Sequence, residues 1–383
     1  MAQIRTSPLV RAALLLLAAA ASTACGKDTT APAALSFTTV RNGGGHSCAL
    51  TTTGVAYCWG LNSSGQLGDG STVDRPVPAA VSTSVRFTTL AAGYYHTCGL
   101  TGDGAAYCWG LNSSGQLGDG SMINRTTPVP VAGGLKFADV TTRNYHSCAL
   151  TVSGAAWCWG LNANGQLGDS STVSSATPMP VAGGATFTML SAGYYHTCAV
   201  ATGGAAYCWG LATSGQLGDF SLTNRSTPVA VGGGISFTAI NAGFDHTCGL
   251  SGATAYCWGY NDFGQLGDGT TLDTAGPAPV AGGIAFTAVS AGVAHSCGIS
   301  AGAAAFCWGY DFTGQLGDGS YDTSPTPATV AGQLAFTQIS AGGGHTCGVT
   351  AEGKVYCWGL NSYGQLGNGS TNVSNVPVRI SSP

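Results

Sequence analysis

Short apolar runs, each bounded by glycines or small polar residues, recur along most of the chain. Within residues 86–131, four such runs lie at 86–90, 96–100, 105–109 and 128–131. Runs of this length between turn residues are typical of β-strands, and the prolines of the fourth run suit an edge strand. The pattern predicts units of four short strands.

The same motifs recur in seven copies. Each copy reads His-Ser/Thr-Cys, then an aromatic residue with Cys-Trp-Gly, then Gly-Gln-Leu-Gly-Asp/Asn. Self-similarity with a period near 50 residues, built from strands, is typical of a closed β-propeller. We predict an all-β, seven-bladed β-propeller over residues 35–383, with four strands per blade, closed by segment 35–40 beside segment 377–380. The repeated histidines are His46, His96, His146, His196, His246, His295 and His345.

The two cysteines of each copy fit one hairpin. Cys98 and Cys108 face each other if residues 102–104 form a three-residue loop that ends in a left-handed Gly104. The fifth copy lacks one residue, and a two-residue loop then keeps its cysteines opposed. We predict seven cross-strand disulfides, which join Cys48 to Cys58, Cys98 to Cys108, Cys148 to Cys158, Cys198 to Cys208, Cys248 to Cys257, Cys297 to Cys307, and Cys347 to Cys357.

A metal site is the alternative use of the repeated His and Cys residues. It would need the same triplet to bind metal seven times without a tight Cys-x-x-Cys pair, and exported thiols oxidise. We therefore expect neither metal nor cofactor. The histidines are interpreted as structural residues that hydrogen-bond loop backbone beside the next blade.

The N-terminal segment has the layout of a bacterial export signal. Arg5 and Arg11 precede an apolar run at 12–21, which is too short to span a bilayer, and small residues precede Cys25. This resembles a lipoprotein signal, although Ser22 departs from the usual Leu.

Seven disulfides leave Cys25 as the odd cysteine, which lipidation would explain. We expect a signal peptide at 1–24, a tether at 25–34, and a cell-envelope lipoprotein whose membrane contact is the lipid on Cys25. Ordinary cleavage and secretion are the alternative.

Composition supports a strand-rich, exported protein. The chain has 61 glycines and only 12 basic and 16 acidic residues among 383, which leaves little material for amphipathic helices. Removing residues 1–24 takes away two arginines, so 10 basic against 16 acidic side chains give a net charge of −6. This charge gives no reason to expect a nucleic-acid partner.

These motifs resemble the regulator of chromosome condensation repeat family, whose units read Gly-x-x-His-Thr, Tyr-x-Trp-Gly and Gly-Gln-Leu-Gly. The match covers roughly residues 35–380, with Arg143 in place of the first Gly and with Trp157 and Phe306 in place of Tyr. The resemblance implies a seven-bladed propeller that presents one face to another protein. Guanine-nucleotide exchange, known in a nuclear member, is less expected because the chain has neither a basic tail nor an inserted segment.

One face of the propeller is the candidate binding site. The two residues before each His vary while their surroundings mostly repeat, and the loop after Cys-Trp-Gly adds further aromatic residues. Variable aromatic residues on a repeated frame are typical of a binding surface. The alternatives are packing against adjacent loops and carbohydrate binding. The candidate residues are Tyr94, Tyr95, Tyr145, Tyr194, Tyr195, Phe244, Asp245, Tyr260, Phe263, Tyr310, Phe312 and Tyr363, with Asp262 and Asp311 at the acidic end.

No catalytic constellation stands apart from the repeat. The acids that follow Leu-Gly, such as Asp69 and Asp119, recur as turn formers, whereas catalysis needs a unique asymmetric cluster. We expect a binding protein rather than an enzyme, with an unidentified protein or a glycan as its partner.

Overall fold

The computed structural model describes residues 35–382, and all regular structure within them is β-strand. Seven four-stranded antiparallel sheets follow each other along the chain, which confirms the predicted seven-bladed propeller. Blades one to four contain β1 (Phe37–Asn42), β2 (His46–Thr51), β3 (Ala56–Gly60), β4 (Arg75–Ala80), β5 (Phe87–Ala92), β6 (His96–Thr101), β7 (Ala106–Gly110), β8 (Arg125–Pro130), β9 (Phe137–Thr142), β10 (His146–Thr151), β11 (Ala156–Gly160), β12 (Ser175–Pro180), β13 (Phe187–Ala192), β14 (His196–Ala201), β15 (Ala206–Gly210) and β16 (Arg225–Ala230). Blades five to seven contain β17 (Ala239–Ala242), β18 (His246–Ser251), β19 (Thr254–Gly259), β20 (Thr274–Pro279), β21 (Phe286–Ala291), β22 (His295–Ser300), β23 (Ala305–Gly309), β24 (Ser324–Thr329), β25 (Phe336–Ala341), β26 (His345–Thr350), β27 (Val355–Gly359) and β28 (Ser374–Arg379).

The first strand of every blade lines a central channel, so the last strand of each blade lies at the outer edge. The predicted hairpin register is confirmed: Cys98 pairs with Cys108 across β6 and β7, and Gly104 has a φ of 80°. In blade five, Cys248 pairs with Cys257 across a two-residue loop that begins at Gly252, with a φ of 58°. A positive φ at the first loop residue is what a type II′ turn requires.

All seven predicted disulfides are present in the described part of the chain. Within residues 35–382, no group of three or more His, Cys, Asp or Glu side chains is arranged to hold a metal ion. Cys25, the signal peptide and the tether lie outside the described residues. Among the described residues, no helix has the length and apolar character needed to cross a membrane.

The ring closes by packing of blade one against blade seven, where Phe37 and Val40 share a hydrophobic cluster with Val378 and Ile380, and not by hydrogen-bonded pairing of the first and last strands. β1 pairs only with β2, and β28 pairs only with β27. The Asn42 backbone N–H instead donates to the Ser340 hydroxyl at 3.0 Å, and the Val40 N–H donates to the Gln338 side chain at 2.9 Å. The first strand is innermost and the last is outermost, so the two cannot be neighbours in one sheet.

Each tryptophan of the Cys-Trp-Gly motif joins two blades. Trp159 is fully buried in one cluster with Cys98 and Cys108 of the preceding blade. Its indole N–H donates to the Gln116 carbonyl at 2.9 Å. Trp59 packs in the same way on blade seven, where its N–H donates to the Gln365 carbonyl at 2.9 Å. The disulfides therefore contribute apolar surface to the blade interfaces as well as cross-links.

The repeated histidines form a closed ring of contacts between blades. The Nε2 of His46 lies 2.9 Å from the Thr97 hydroxyl, and that hydroxyl donates to the Gln66 carbonyl at 2.9 Å. Because the hydroxyl hydrogen is used, Nε2 must carry the proton and donate. The predicted contact with loop backbone is thus indirect, through a hydroxyl. The remaining pairs are His96–Ser147, His146–Thr197, His196–Thr247, His246–Ser296, His295–Thr346 and His345–Ser47.

Candidate binding face

Two loops of every blade emerge on the same face of the propeller. In an antiparallel meander, the loop between strands one and two and the loop between strands three and four lie at one end, and the middle hairpin turn lies at the other. We call the first end the loop face and the opening of the channel there the mouth. All twelve candidate residues belong to the loop face.

Five aromatic residues from blades two, four and five form a central cluster at the mouth. The ring of Tyr94 lies 4.8 Å from Tyr95 and 6.3 Å, edge-on, from Tyr194. The ring of Tyr194 lies 4.4 Å from Tyr195 and 3.7 Å from Phe244. Each side chain stays partly exposed. The contact between Tyr94 of blade two and Tyr194 of blade four brings these aromatic residues together at the mouth.

A second aromatic cluster lies on the loops that follow Cys-Trp-Gly in blades five and six. The Phe263 ring lies 6.3 Å from Tyr260 and 4.9 Å from Tyr310, which lies 4.9 Å from Phe312. Phe312 is 68% exposed. The Tyr260 hydroxyl donates to the Asp262 carboxylate at 2.7 Å, and this hydrogen bond is the main cause of the raised pKa of Tyr260. The candidate residues thus include two aromatic clusters, and Tyr310 of the second cluster lines the same opening as Tyr94, Tyr95 and Tyr363.

Tyr145 and Tyr363 lie beside the central cluster. Burial is the main cause of the raised pKa of Tyr94, and the nearby Tyr363 and Tyr145 hydroxyls raise that pKa further. Tyr145 is partly buried and Tyr363 is exposed. Both side chains therefore face the same mouth as Tyr94.

Asp245 is the one candidate acid that lies at the mouth. Its carboxylate accepts a hydrogen bond of 3.4 Å from the side-chain amide of Gln216 in the preceding blade. Burial, with a smaller contribution from Asp273, raises the pKa of Asp245 to about 6. A negative charge at the mouth is therefore disfavoured by desolvation.

Asp311, which was expected at the acidic end of the surface, is fully buried and does not face a partner. It occupies the position of a structural asparagine: in blade seven, the Asn361 amide donates to the Ser370 and Asn372 carbonyls at 3.0 and 2.9 Å. An ionised carboxylate cannot donate in the same way. Burial raises the pKa of Asp311 to about 7.

A ring of apolar side chains at the tips of the loops between strands three and four was missed by the sequence analysis. Leu272 and Val173 are each 73% exposed, and Ile123 is 62% exposed. The signal was an apolar residue within an otherwise polar turn in each copy. We call these residues the loop tips: Val73, Met122, Ile123, Val173, Leu222, Leu272, Tyr321 and Val373.

Comparison with family models places this chain among known proteins. The model for the RCC1-like domain matches residues 18–297. The chain belongs to this RCC1-like family. One model for the regulator of chromosome condensation (RCC1) repeat matches residues 304–349 and 352–383. A second model for the same repeat matches residues 336–365.

Solved structures share the RCC1-like fold at low sequence identity. Human WBSCR16 is 22% identical with a TM-score of 0.78, over 86% of this chain and 94% of that chain. Yeast RCC1 (Prp20), in its complex with Kap60, is 22% identical with a TM-score of 0.75, over 91% and 85%. The ectodomain of the Physcomitrella patens receptor kinase CR4 is 24% identical with a TM-score of 0.57, over 85% and 74%. These likenesses show the fold alone.

Proposed function

We propose that the chain is an exported binding protein that docks a protein partner on its loop face. The observation that carries this proposal is the ring of exposed loop tips on the same face as the two aromatic clusters. Apolar side chains that recur on one face in every blade leave apolar surface in water on that face, which favours an interaction site there. Partly exposed tyrosines at the mouth add side chains that are common at the centres of protein interfaces.

Within residues 35–382, the middle hairpin turns on the opposite face carry fewer exposed large apolar side chains than the loops between strands three and four. The middle hairpin turns are short and mostly polar, as in the turns at residues 52–54 and 202–204. Val152 is the exposed large apolar residue of these turns, at 84%. The contrast between the two faces supports docking on the loop face.

Relatives of the same fold bind proteins. Yeast RCC1 was crystallised with Kap60 bound, and its binding to Gsp1p and histones has been described. The present chain keeps a near-constant repeat length, so it has no long insertion with which to enter a nucleotide site. We therefore favour stable docking over nucleotide exchange or any other catalysis.

The disulfides are typical of an oxidising compartment. We propose that Cys25 carries a lipid that anchors the protein to an envelope membrane. A Cys25→Ala variant should then lose acylation and move from the membrane fraction to the soluble fraction. Unchanged fractionation of that variant would favour plain signal cleavage and secretion.

The docking proposal is tested by quantitative capture from envelope extract of the source organism. The test variant changes Val73, Ile123, Val173, Leu272 and Val373 to Ser, which leaves the buried core untouched. The control is Val152→Ser, which removes a still more exposed valine from the opposite face. A protein retained by the wild type and by the control, but lost from the test variant, would support the proposal. Equal capture by all three would contradict it.

A further inference from the structure

A cavity of about 360 Å³ lies at the mouth, between blades one, two, six and seven. Its walls are formed by the side chains of Leu61, Tyr94, Tyr95, Tyr310, Leu360 and Tyr363. No charged residue lines it. A mostly apolar cavity of this size, with a few polar groups, is typical of a small-ligand site.

The cavity is open because blades one, six and seven lack the aromatic residues that other blades place there. Tyr95, Tyr145 and Tyr195 precede the repeated His in blades two to four, whereas Gly45 and Gly344 occupy that position in blades one and seven. A Cβ added at Gly344 would lie 3.4 Å from Leu360 and 3.8 Å from Thr313, which is ordinary contact. The backbone at residue 344 could therefore carry a side chain.

The cavity also contains an unsatisfied hydrogen-bond donor. Gln365 lines it and is fully buried, yet its side-chain Nε2 has no hydrogen-bond partner among the described residues. Its Oε1 is already used, since it accepts from the Tyr363 backbone N–H at 2.9 Å. The equivalent Gln315 lines the same cavity. A buried amide without an acceptor costs about 1–3 kcal/mol, which a ligand oxygen would recover.

Blade five shows which kind of atom satisfies such an amide. There the Gln216 amide donates to a carboxylate oxygen of Asp245, which stands at the position of Gly45 and Gly344. Burial raises the pKa of Asp245 to about 6, so an ionised oxygen is not favoured at the mouth. A neutral oxygen acceptor avoids this desolvation cost.

We infer that the cavity binds an uncharged pyranose ring. The C–H groups on one side of the ring would pack on the negative π-faces of Tyr94 and Tyr363. Its hydroxyl oxygens would accept hydrogen bonds from the Gln365 and Gln315 amides. The cavity shares the tyrosines of the mouth with the proposed docking face, but the loop tips stand apart from it except for Val73 near Tyr363, so the two proposals are tested at different residues.

The test is saturation-transfer NMR on the full chain with separate simple probes. The neutral arm uses methyl glucoside, methyl mannoside, methyl galactoside and methyl N-acetylglucosaminide. Glucuronate is the charged arm, and N-acetyltyrosinamide is the amino-acid arm. We expect transfer to at least one neutral glycoside, and none to glucuronate.

Two variants locate the binding. Gly344→Tyr fills the cavity with the residue that three other blades carry, and should abolish the signal. Gln365→Glu keeps the acceptor for the Tyr363 N–H but removes the donors, and should weaken binding at least tenfold. The matched control Gln116→Glu makes the same change at an equally buried amide without a partner, away from the cavity, and should leave binding unchanged.

Melting curves establish whether each variant folds. If Gly344→Tyr does not fold, Gln365→Glu still tests the inference. Failure of every neutral glycoside to bind the wild type would overturn the inference, as would binding that survives both variants. Transfer to N-acetyltyrosinamide alone would also overturn it, and would assign the cavity to a protein side chain. None of these outcomes bears on the loop-tip capture experiment.

Discussion

The guanidinium of Arg143 donates a hydrogen bond of 3.1 Å to the backbone carbonyl of Ala291, and so joins blade three to blade six across the central channel. Arg143 stands where the other six blades have glycine. At Gly93, the equivalent position, an added Cβ would collide with the carbonyl of the next blade. The chain therefore accommodates a side chain at a position that the ring packs tightly.

Arg143 weakens the backbone hydrogen bonds of the turn that it begins. The backbone N–H of Arg143 donates to the His146 carbonyl at 3.4 Å. The equivalent hydrogen bond in blade two, from the Gly93 N–H to the His96 carbonyl, is shorter, at 2.8 Å. In blade four, the backbone N–H of Tyr194 donates to the Gly243 carbonyl of the next blade at 3.1 Å. The equivalent hydrogen bond in blade three, from the Asn144 N–H to the Gly193 carbonyl, is not formed. Burial at the channel also lowers the pKa of Arg143 to about 10, in keeping with a partly desolvated charge.

Arg143→Gly should therefore stabilise the propeller. The variant loses the Ala291 bond, but it shortens one backbone hydrogen bond, regains another and removes a partly desolvated charge, for a net gain of about 1 kcal/mol. The free energy of unfolding in urea is the measurement. Arg86→Gly, at an exposed arginine, is the control for loss of charge alone. A less stable Arg143→Gly variant would show that the cross-channel bond outweighs the strained turn.

Asp311→Asn should stabilise blade six. The new amide can donate to the loop carbonyls as Asn361 does in blade seven, which is worth about 1–3 kcal/mol at a buried site. Because the raised pKa of about 7 belongs to the folded state, the carboxyl binds its proton there before the unfolded chain does. Its destabilising effect therefore grows as pH rises from about 4 to 7.

The gain from Asp311→Asn should accordingly be larger at pH 8 than at pH 5, as measured by melting temperature. Asp262→Asn removes an exposed carboxylate from a neighbouring loop and serves as the control. A gain that did not depend on pH would mean that the folded-state pKa of Asp311 is not raised, so that its carboxyl is ionised in the folded and the unfolded chain throughout this range.

The sequence was sufficient for the features that every blade repeats. The register of Cys98 and Cys108 follows from loop length, because each loop length admits few turn types. It was insufficient where one blade differs from its neighbours. Nothing in the spacing of Tyr94 and Tyr194 indicates that their rings meet at the mouth. Asp311 has the sequence context of a surface acid, but it occupies the buried position that Asn361 holds in blade seven. The loop tips were missed because exposure depends on how each turn folds over its own blade.

Removing one disulfide should cost the propeller about 2–3 kcal/mol by the chain-entropy estimate for a loop of this length. Cys148→Ala with Cys158→Ala is the test pair, and urea unfolding is the measurement. Cys248→Ala with Cys257→Ala should cost about as much, since its sequence separation is 9 against 10. All these sulfurs are buried, so dithiothreitol should reduce the wild type only as fast as the blades open. Rapid reduction of the folded protein would contradict this expectation.

Acid should destabilise the protein through its ring of histidines. Burial lowers the pKa of His46 from the ordinary 6.5 to about 3, and the same holds for His246 and the other repeated histidines. Between these two pH values only the unfolded chain binds the proton, so the free energy of unfolding falls as pH falls below 6.5. Each histidine contributes about 1.4 kcal/mol per pH unit in that window.

The carboxyls of Asp245 and Asp311 act in the opposite sense, since their folded pKa values are raised to about 6 and about 7. Seven histidines outnumber these two acids, so the melting temperature should fall steeply between pH 6 and pH 4. His246→Asn should make that fall shallower by the share of one histidine, because it removes a proton-binding group from the unfolded chain. A melting temperature that stayed constant from pH 7 to pH 4 would mean that the folded ring takes up protons as readily as the unfolded chain does.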